Sequence, residues 1–280
     1  MRKVVVTGAS GKAGRAAVAE FLASGYEVTA VDLAPGNNQG LRTVAADLTD
    51  AGAAIDVLRG HDAVVHLAAI PAPRQASDPR TFAVNITSTY NVFWASEVLG
   101  IDRVVWASSE TVLGLPIDAS KLAYVPLDES SPLYPETAYS LSKLTSEVTA
   151  AQFARRTGMT LVGLRFSNII LPDEYAVFES WQDDPSAREW NLWGYVDVRD
   201  VALSCRVGVE ADVTGAENFI IAADDTVMRT PSADLMAANF PGCEVRKLGH
   251  PRQTLQSIDK ARRMLGYEPR HTWQSELAGG

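Results

Sequence analysis

Residues 3–14 read Lys3-Val4-Val5-Val6-Thr7-Gly8-Ala9-Ser10-Gly11-Lys12-Ala13-Gly14, and the fold turns on them. Lys3–Thr7 is a continuous β-branched run, the pattern of a strand buried on both faces. It passes directly into glycines spaced G-x-x-G-x-x-G at Gly8, Gly11 and Gly14. From Lys12 to Ser24, apolar residues recur at Ala13, Ala17, Phe21 and Leu22, a helical stripe, and Gly25 stands where a helix stops. Such a turn can cradle an anion. Glycines let the chain turn tightly and bring backbone N–H groups close to a phosphate, which the positive end of the helix dipole also favours. A glycine run alone also fits an ordinary tight turn. Its place between a first strand and a first helix is what points to phosphate, with Gly8, Ser10, Gly11, Lys12, Ala13 and Gly14 as the candidate contacts.

The same alternation continues outward. The patterning predicts strands at Glu27–Leu33, Thr43–Asp47, Asp62–Leu67, Arg103–Ser108 and Thr160–Phe166. Between them it predicts helices at Ala51–Arg59, Asp78–Leu99 and Thr137–Thr157. Repeated βαβ units with right-handed crossovers make an α/β fold, a doubly wound parallel sheet of the Rossmann kind. After Ser167 the rhythm fails. A helix at Val198–Val209 and a strand at Glu217–Ile221 follow, then short elements. The expected division is a dinucleotide-binding domain at 1–167, with 195–222 returning to it. Most of 168–280 then forms a small C-terminal cap.

Composition bounds the function. The chain has 280 residues, 46% of them hydrophobic, enough to bury a large core unaided. Its net charge of −9 argues against nucleic acid, whose phosphate backbone needs a basic face. No apolar run is long enough to span a membrane or form a signal-peptide core. Cys205 and Cys243 are isolated, with no CxxC, which fits a reduced, cytoplasmic chain. The histidines at 61, 66, 250 and 271 lack metal-ligand spacing, so no metal is expected.

Asp32 ends the second predicted strand, 18 residues after Gly14. A carboxylate there can accept hydrogen bonds from both hydroxyls of an adenosine ribose and would repel a 2′-phosphate. Leu33-Ala34-Pro35-Gly36 follows with no arginine, which favours NAD over NADP. Asp47 and Leu48 follow the third strand, where an adenine edge could rest. Leu67, Ala68 and Ala69 follow the fourth, small enough overall to let a cofactor lie against backbone. His66 reads as a satisfied strand-end histidine and receives no catalytic role.

Tyr139 and Lys143 stand i, i+4 on a predicted helix, hence on one face. A phenol, with a pKa of about 10, is a poor base at neutral pH. A neighbouring lysine cation stabilises phenolate and is expected to lower that pKa, making Tyr139 a general base or, in reverse, an acid. Ser109 ends the fifth strand region at the carboxyl edge of the sheet, where open α/β sheets bind ligands. Its hydroxyl could hold a substrate oxygen near Tyr139.

The chain resembles the extended branch of the short-chain dehydrogenase/reductase superfamily, the NAD-dependent epimerase/dehydratase family. The likeness rests on TGASGKAG at 7–14, HLAA at 66–69, Asn85 in AVNITSTYNV, SSETVLG at 108–114, YSLSK at 139–143, LRFSN at 164–168 and YVDVRDVA at 195–202. It implies that Ser109, Tyr139 and Lys143 are catalytic. It also implies that Lys143 holds the nicotinamide ribose, that Asn85 is the central-helix asparagine, and that the helices 78–99 and 137–157 pair into a homodimer.

Departures from the family pattern shape the substrate expectation. Only 26 residues, 169–194, lie between LRFSN and YVDVRDVA, short for a nucleotide-sugar site. That segment is aromatic, with Tyr175, Phe178, Trp181, Trp190 and Trp193, and its shape resembles the compact uronate dehydrogenases. Those enzymes carry a carboxylate-binding arginine where Ala176 stands here, and Asn-His where Glu110-Thr111 stands here. Arg74 or Arg80 is the candidate replacement; each also reads as a solvated loop charge. The tryptophans fit cap core or dimer contact as well as substrate stacking. Candidate substrate residues are Ile70, Arg74, Ser109, Glu110, Thr111, Ser167, Asn168 and Trp181. The expected function is NAD-dependent hydride transfer from a hydroxyl carbon of a small sugar, sugar acid or polyol. The alternatives are a nucleotide-sugar epimerase or dehydratase with tightly held NAD, and a catalytically silent dinucleotide-sensing protein.

Overall fold

The computed structural model describes residues 2–34, 36–38 and 40–278, with backbone alone at 37 and 278. The strands are β1 (Lys3–Thr7), β2 (Glu27–Asp32), β3 (Gly36–Asn38), β4 (Leu41–Ala45), β5 (Ala63–His66), β6 (Arg103–Ser109), β7 (Tyr124–Val125), β8 (Thr160–Phe166), β9 (Ile169–Ile170), β10 (Val196–Asp197), β11 (Ala216–Ile221) and β12 (Glu244–Val245). The helices are α1 (Lys12–Ala23), α2 (Ala51–Leu58), α3 (Asp78–Leu99), α4 (Ala138–Thr157), α5 (Val198–Glu210), α6 (Ser232–Asn239), α7 (Asp259–Leu265) and α8 (Trp273–Ala278).

The central sheet runs in the order β11-β8-β6-β5-β1-β2-β4, all parallel, with β3 antiparallel on β4 at the edge. This is the doubly wound α/β sheet expected from the βαβ pattern. Strand alternation feeds two cores. Val4 and Val6 of β1, Val105 of β6 and Val162 of β8 join α1 residues Ala17, Val18 and Phe21 and α5 residues Val201 and Cys205. Val5, Val64, Val104, Trp106 and Leu161 face the other way onto Leu58, Phe93 and Phe153 of α2, α3 and α4. Burial on both faces explains why these strands read as continuous apolar runs.

Two local expectations need correction. The third strand lies at Leu41–Ala45, not Thr43–Asp47, so Asp47 belongs to the following turn. The hairpin strand β3 was not expected, because Gly36-Asn37-Asn38 has poor strand propensity. A tertiary contact holds it: buried Asn38 donates Nδ2 to the Ala9 carbonyl at 2.6 Å.

Beyond β8 the chain leaves the sheet and comes back. β9 is followed by two 3₁₀ segments, Pro172–Trp181 and Pro185–Asn191, that bring β10 back to pair with β9, and after α5 strand β11 rejoins the sheet. Phe178 centres an aromatic cluster with Tyr175, Trp181, Tyr195 and Trp273. Tyr175 and Tyr195 bury their hydroxyls on Asp197 and Asp225, each at 2.6 Å. Tyr175, Phe178 and Trp193 are thus core residues of this region.

Candidate active site

The sheet order reverses between β1 and β5. From β1 the chain proceeds outward through β2 and β4, and from β5 in the other direction through β6 and β8. The carboxyl ends therefore diverge at β1/β5 and leave a crevice, the general ligand position of such sheets. The glycine turn lies on one side of it. Gly8 adopts φ +69°, and a Cβ there would sit 2.6 Å from the Ala68 nitrogen. At Gly14 a Cβ would fall 2.0 Å from the Gly8 carbonyl oxygen. Both positions thus demand glycine, Gly8 so that β1 can meet the Leu67-Ala68 backbone and Gly14 so that α1 can pack on the turn. Gly11 caps α1 and has no side chain to bond there, and among the described residues no carboxylate or hydroxyl caps the helix N-terminus. Ser10 and Gly11 are exposed and Ala13 is half-buried.

Asp32 stands at the end of β2 beside this turn. Its carboxylate accepts from Ser10 N at 2.8 Å and from Leu33 N at 2.7 Å. Cradle and carboxylate together fit a dinucleotide: phosphates on the α1 end, ribose hydroxyls on Asp32. Lys12 points elsewhere, its ammonium 2.6 Å from Glu174 of the first 3₁₀ segment. Asp47 spends Oδ1 on Thr49, through N at 2.9 Å and Oγ1 at 2.7 Å, and these bonds hold its carboxyl below the usual range. Leu48 is buried, and its carbonyl accepts from Asn91 at 2.9 Å.

Three elements converge on the other side of the crevice. A capping box between Thr137 and Ser140 starts α4 and so fixes Tyr139 in its first turn. Lys143 follows one turn later and donates Nζ to the Ala107 carbonyl at 2.7 Å, 5.7 Å from the Tyr139 ring centre. Ser109 ends β6. It accepts from Thr111 N at 3.2 Å and Thr111 Oγ1 at 3.0 Å, and it stands near enough to Tyr139 to act on the phenol. Asn85 of α3 clamps the β5–α3 loop, accepting from Ile70 N at 2.8 Å and donating to Ile70 O at 3.1 Å. It also reaches Ser142 Oγ of α4 at 3.3 Å.

The electrostatics depart from the sequence expectation. Burial pushes the Tyr139 phenol up to about 12; the Ser109 hydrogen bond works against that rise and the Glu110 charge adds to it. Burial also brings the Lys143 ammonium down to about 8. Desolvation therefore sets the direction of both shifts, and the expected lowering of Tyr139 by Lys143 does not occur. His66 is buried between Thr7 Oγ1 at 2.8 Å and Thr89 Oγ1 at 3.3 Å, and burial drops it to about 3, so it stays neutral.

The remaining candidates separate. Glu110, Thr111 and Ser167 gather beside Ser109, with Ser167 donating to Glu110 at 2.7 Å. Asn168 is half-buried, and its carbonyl accepts from Val196 N at 3.0 Å. Ile70 is held by Asn85. Arg74 and Arg80 are exposed, and the Arg80 charge is felt by Asp47 on the far side. Trp181 packs on Phe178 and carries Arg188, whose guanidinium lies 4.6 Å from its ring centre and 5.2 Å from that of Trp190. Arg188, Asn191 and Gln256 were not among the expected site residues. They converge on Glu110 from 78 to 146 positions away in the chain, a separation that carries no local signal. Among the described residues, no group of acidic, histidine or cysteine side chains could hold a metal.

The L-arabinose 1-dehydrogenase (NAD(P)(+)) of Haloferax volcanii is 34% identical over 235 residues, spanning 80% of this chain and 90% of that relative. The uronate dehydrogenase of Pseudomonas putida is 24% identical over 184 residues, 64% of this chain and 66% of its own. A short-chain dehydrogenase/reductase superfamily protein from Agrobacterium tumefaciens, solved with bound NAD, shares the fold. It superposes with a TM-score of 0.75 at 24% identity, covering 99% of this chain and 95% of that one. The model of one family matches residues 4–182, from β1 through the end of the first 3₁₀ segment. With that match added to the glycine cradle and the crevice, the chain belongs to the NAD dependent epimerase/dehydratase family.

Proposed function

We propose that this chain is an NAD-dependent dehydrogenase that oxidises a hydroxyl carbon of a small free sugar, sugar acid or polyol. One observation carries the reading: Ser109, Tyr139 and Lys143 meet at the carboxyl edge of the sheet, next to a cradle fit for a dinucleotide. The short 169–194 segment and the L-arabinose 1-dehydrogenase relative support a compact substrate. Ser109 Oγ holds the substrate oxygen, and Thr111, by donating to Ser109, frees the serine proton for that contact. Tyr139 Oη exchanges the hydroxyl proton, and Lys143 Nζ, anchored on Ala107, holds a nicotinamide ribose. NAD supplies the hydride acceptor and, when oxidised, a positive charge that favours phenolate at Tyr139. The protonated phenol at neutral pH suits the reverse direction as it stands.

Asp32 sets the preference for NAD. Asp32→Ala should weaken NAD binding by about tenfold and narrow the discrimination against NADP, as expected when a hydrogen bond to a charged acceptor is lost. Equal NAD and NADP titrations before and after the change would refute that role. A cytoplasmic setting fits the free thiols of Cys205 and Cys243, and among the described residues no helix is long and apolar enough to cross a membrane.

The working unit is a homodimer formed through α3 and α4, which leave Tyr90, Val98, Leu141 and Val148 exposed. Sedimentation at twice the chain mass is expected, and a monomer at micromolar concentration would contradict it. The test of the catalytic reading is NADH formation from free sugars. Sugar turnover without net NADH would favour an epimerase, and binding without turnover a sensor.

A further inference from the structure

Glu110 immediately follows Ser109 and is 3% exposed. A buried carboxylate costs several kcal/mol unless it is well partnered, and its partners here define its state. Ser167 Oγ and Gln256 Nε2 donate to Oε2, each at 2.7 Å, and Asn191 Nδ2 reaches Oε1 at 3.4 Å. Backbone carbonyls fix the orientation of both amides: Gln256 Nε2 also donates to Asn191 O at 3.2 Å, and Asn191 Nδ2 to Gly194 O at 2.9 Å. Both amides therefore present N–H to Glu110. Burial pushes the Glu110 carboxyl up, and the Ser167, Gln256 and Asn191 donors and the Arg188 charge work against that rise; partners that only donate favour the carboxylate over the acid. Oε1 has one long contact and keeps capacity to accept another hydrogen bond.

We propose that Glu110 sets substrate charge at this site, accepting a hydroxyl of an uncharged sugar and turning away substrates that carry a carboxylate. The inference rests on the dehydrogenase reading and narrows its substrate class from sugars and sugar acids to neutral sugars. Glu110 adjoins Ser109, and its charge reaches Tyr139. A substrate carboxylate placed there would meet a like charge in a water-poor site, a form of rejection that favourable contacts alone do not provide. Arg188 is itself buried in this wall. Its guanidinium is stacked between Trp181 and Trp190, and Nη2 is committed to Gly194 O at 3.0 Å and Asn191 Oδ1 at 3.4 Å. Its Nε is buried without a partner, and its charge favours the ionised form of Glu110.

The test compares kcat/KM, by NADH formation, for galactose against galacturonate and for glucose against glucuronate, pairs that differ only at C6. In the wild-type enzyme the neutral sugar that reacts should be preferred over its acid by about 100-fold or more. Glu110→Gln keeps the shape and removes the charge. It should shrink that preference about tenfold or more, chiefly by faster oxidation of the acid. A purely structural tether would lower both rates together and leave the ratio alone. Comparable rates on acid and neutral sugar in the wild type, or an unchanged ratio in Glu110→Gln, overturns the proposal. Should that variant not fold, competition in the wild type decides. Galacturonate should fail to inhibit the oxidation of the neutral sugar, and competitive inhibition at matched concentrations overturns the proposal. No NADH from any of the four sugars sinks the dehydrogenase reading, and this inference with it.

Discussion

Tyr139→Phe should lower sugar turnover by about 10²–10⁴-fold, the usual worth of a positioned acid–base group, while the affinity for NAD stays within about twofold. The substitution removes one oxygen from a side chain that α4 packing holds in place. The Thr137–Ser140 capping box, the Lys143–Ala107 hydrogen bond and the Asn85–Ser142 contact do not involve that oxygen. Only the neighbouring Ser109 hydroxyl feels the loss. Binding and fold should therefore survive and the proton step should fail. Stopped-flow NADH formation together with NAD titration separates the two effects. Turnover within tenfold of the wild type would mean that another group carries the proton.

The second large effect is on stability. Glu147 of α4 and Arg165 of β8 are 5% and 3% exposed at their side chains. The carboxylate takes Arg165 Nε at 2.9 Å, Arg165 Nη2 at 2.8 Å and Ser108 Oγ at 2.6 Å. Glu147→Ala would strand a buried guanidinium that already has Nη1 unpartnered. Breaking a buried pair on one side costs about 3–5 kcal/mol, against a total stability of about 5–15 kcal/mol for ordinary proteins. The variant should unfold at markedly lower urea with an unchanged slope. A loss below about 1 kcal/mol would show that water reaches Arg165. The Ser108–Glu147 hydrogen bond also joins the end of β6, beside Ser109, to α4 one turn beyond Lys143.

The parts of this molecule that are local in the chain were legible in its sequence. Gly8 and Gly14 could be read because strand, turn and helix are contiguous, and Tyr139 and Lys143 because a helix puts i and i+4 on one face. The parts made by tertiary convergence were not. Arg188, Asn191 and Gln256 surround Glu110 only after the chain beyond β8 folds back over the sheet. β3 forms because Asn38 finds the Ala9 carbonyl, against the propensity of its own residues. The expectation for the Tyr139 phenol had the wrong direction for the same reason: the i, i+4 lysine was visible in the sequence, and the burial that raises the phenol was not. The aromatic run of 169–194 could be read as either core or substrate wall. Phe178 and Tyr175 resolved to core, while Trp181 and Trp190 flank the Arg188 that faces Glu110.

Net hydride transfer from a free sugar to external NAD by the Ser109, Tyr139 and Lys143 set is measured with wild-type protein, excess NAD and L-arabinose or another free neutral sugar, following NADH absorbance against sugar consumed. One NADH should accumulate per sugar oxidised. Sugar converted with no net NADH, or NAD bound with no sugar converted, would rule out the dehydrogenase.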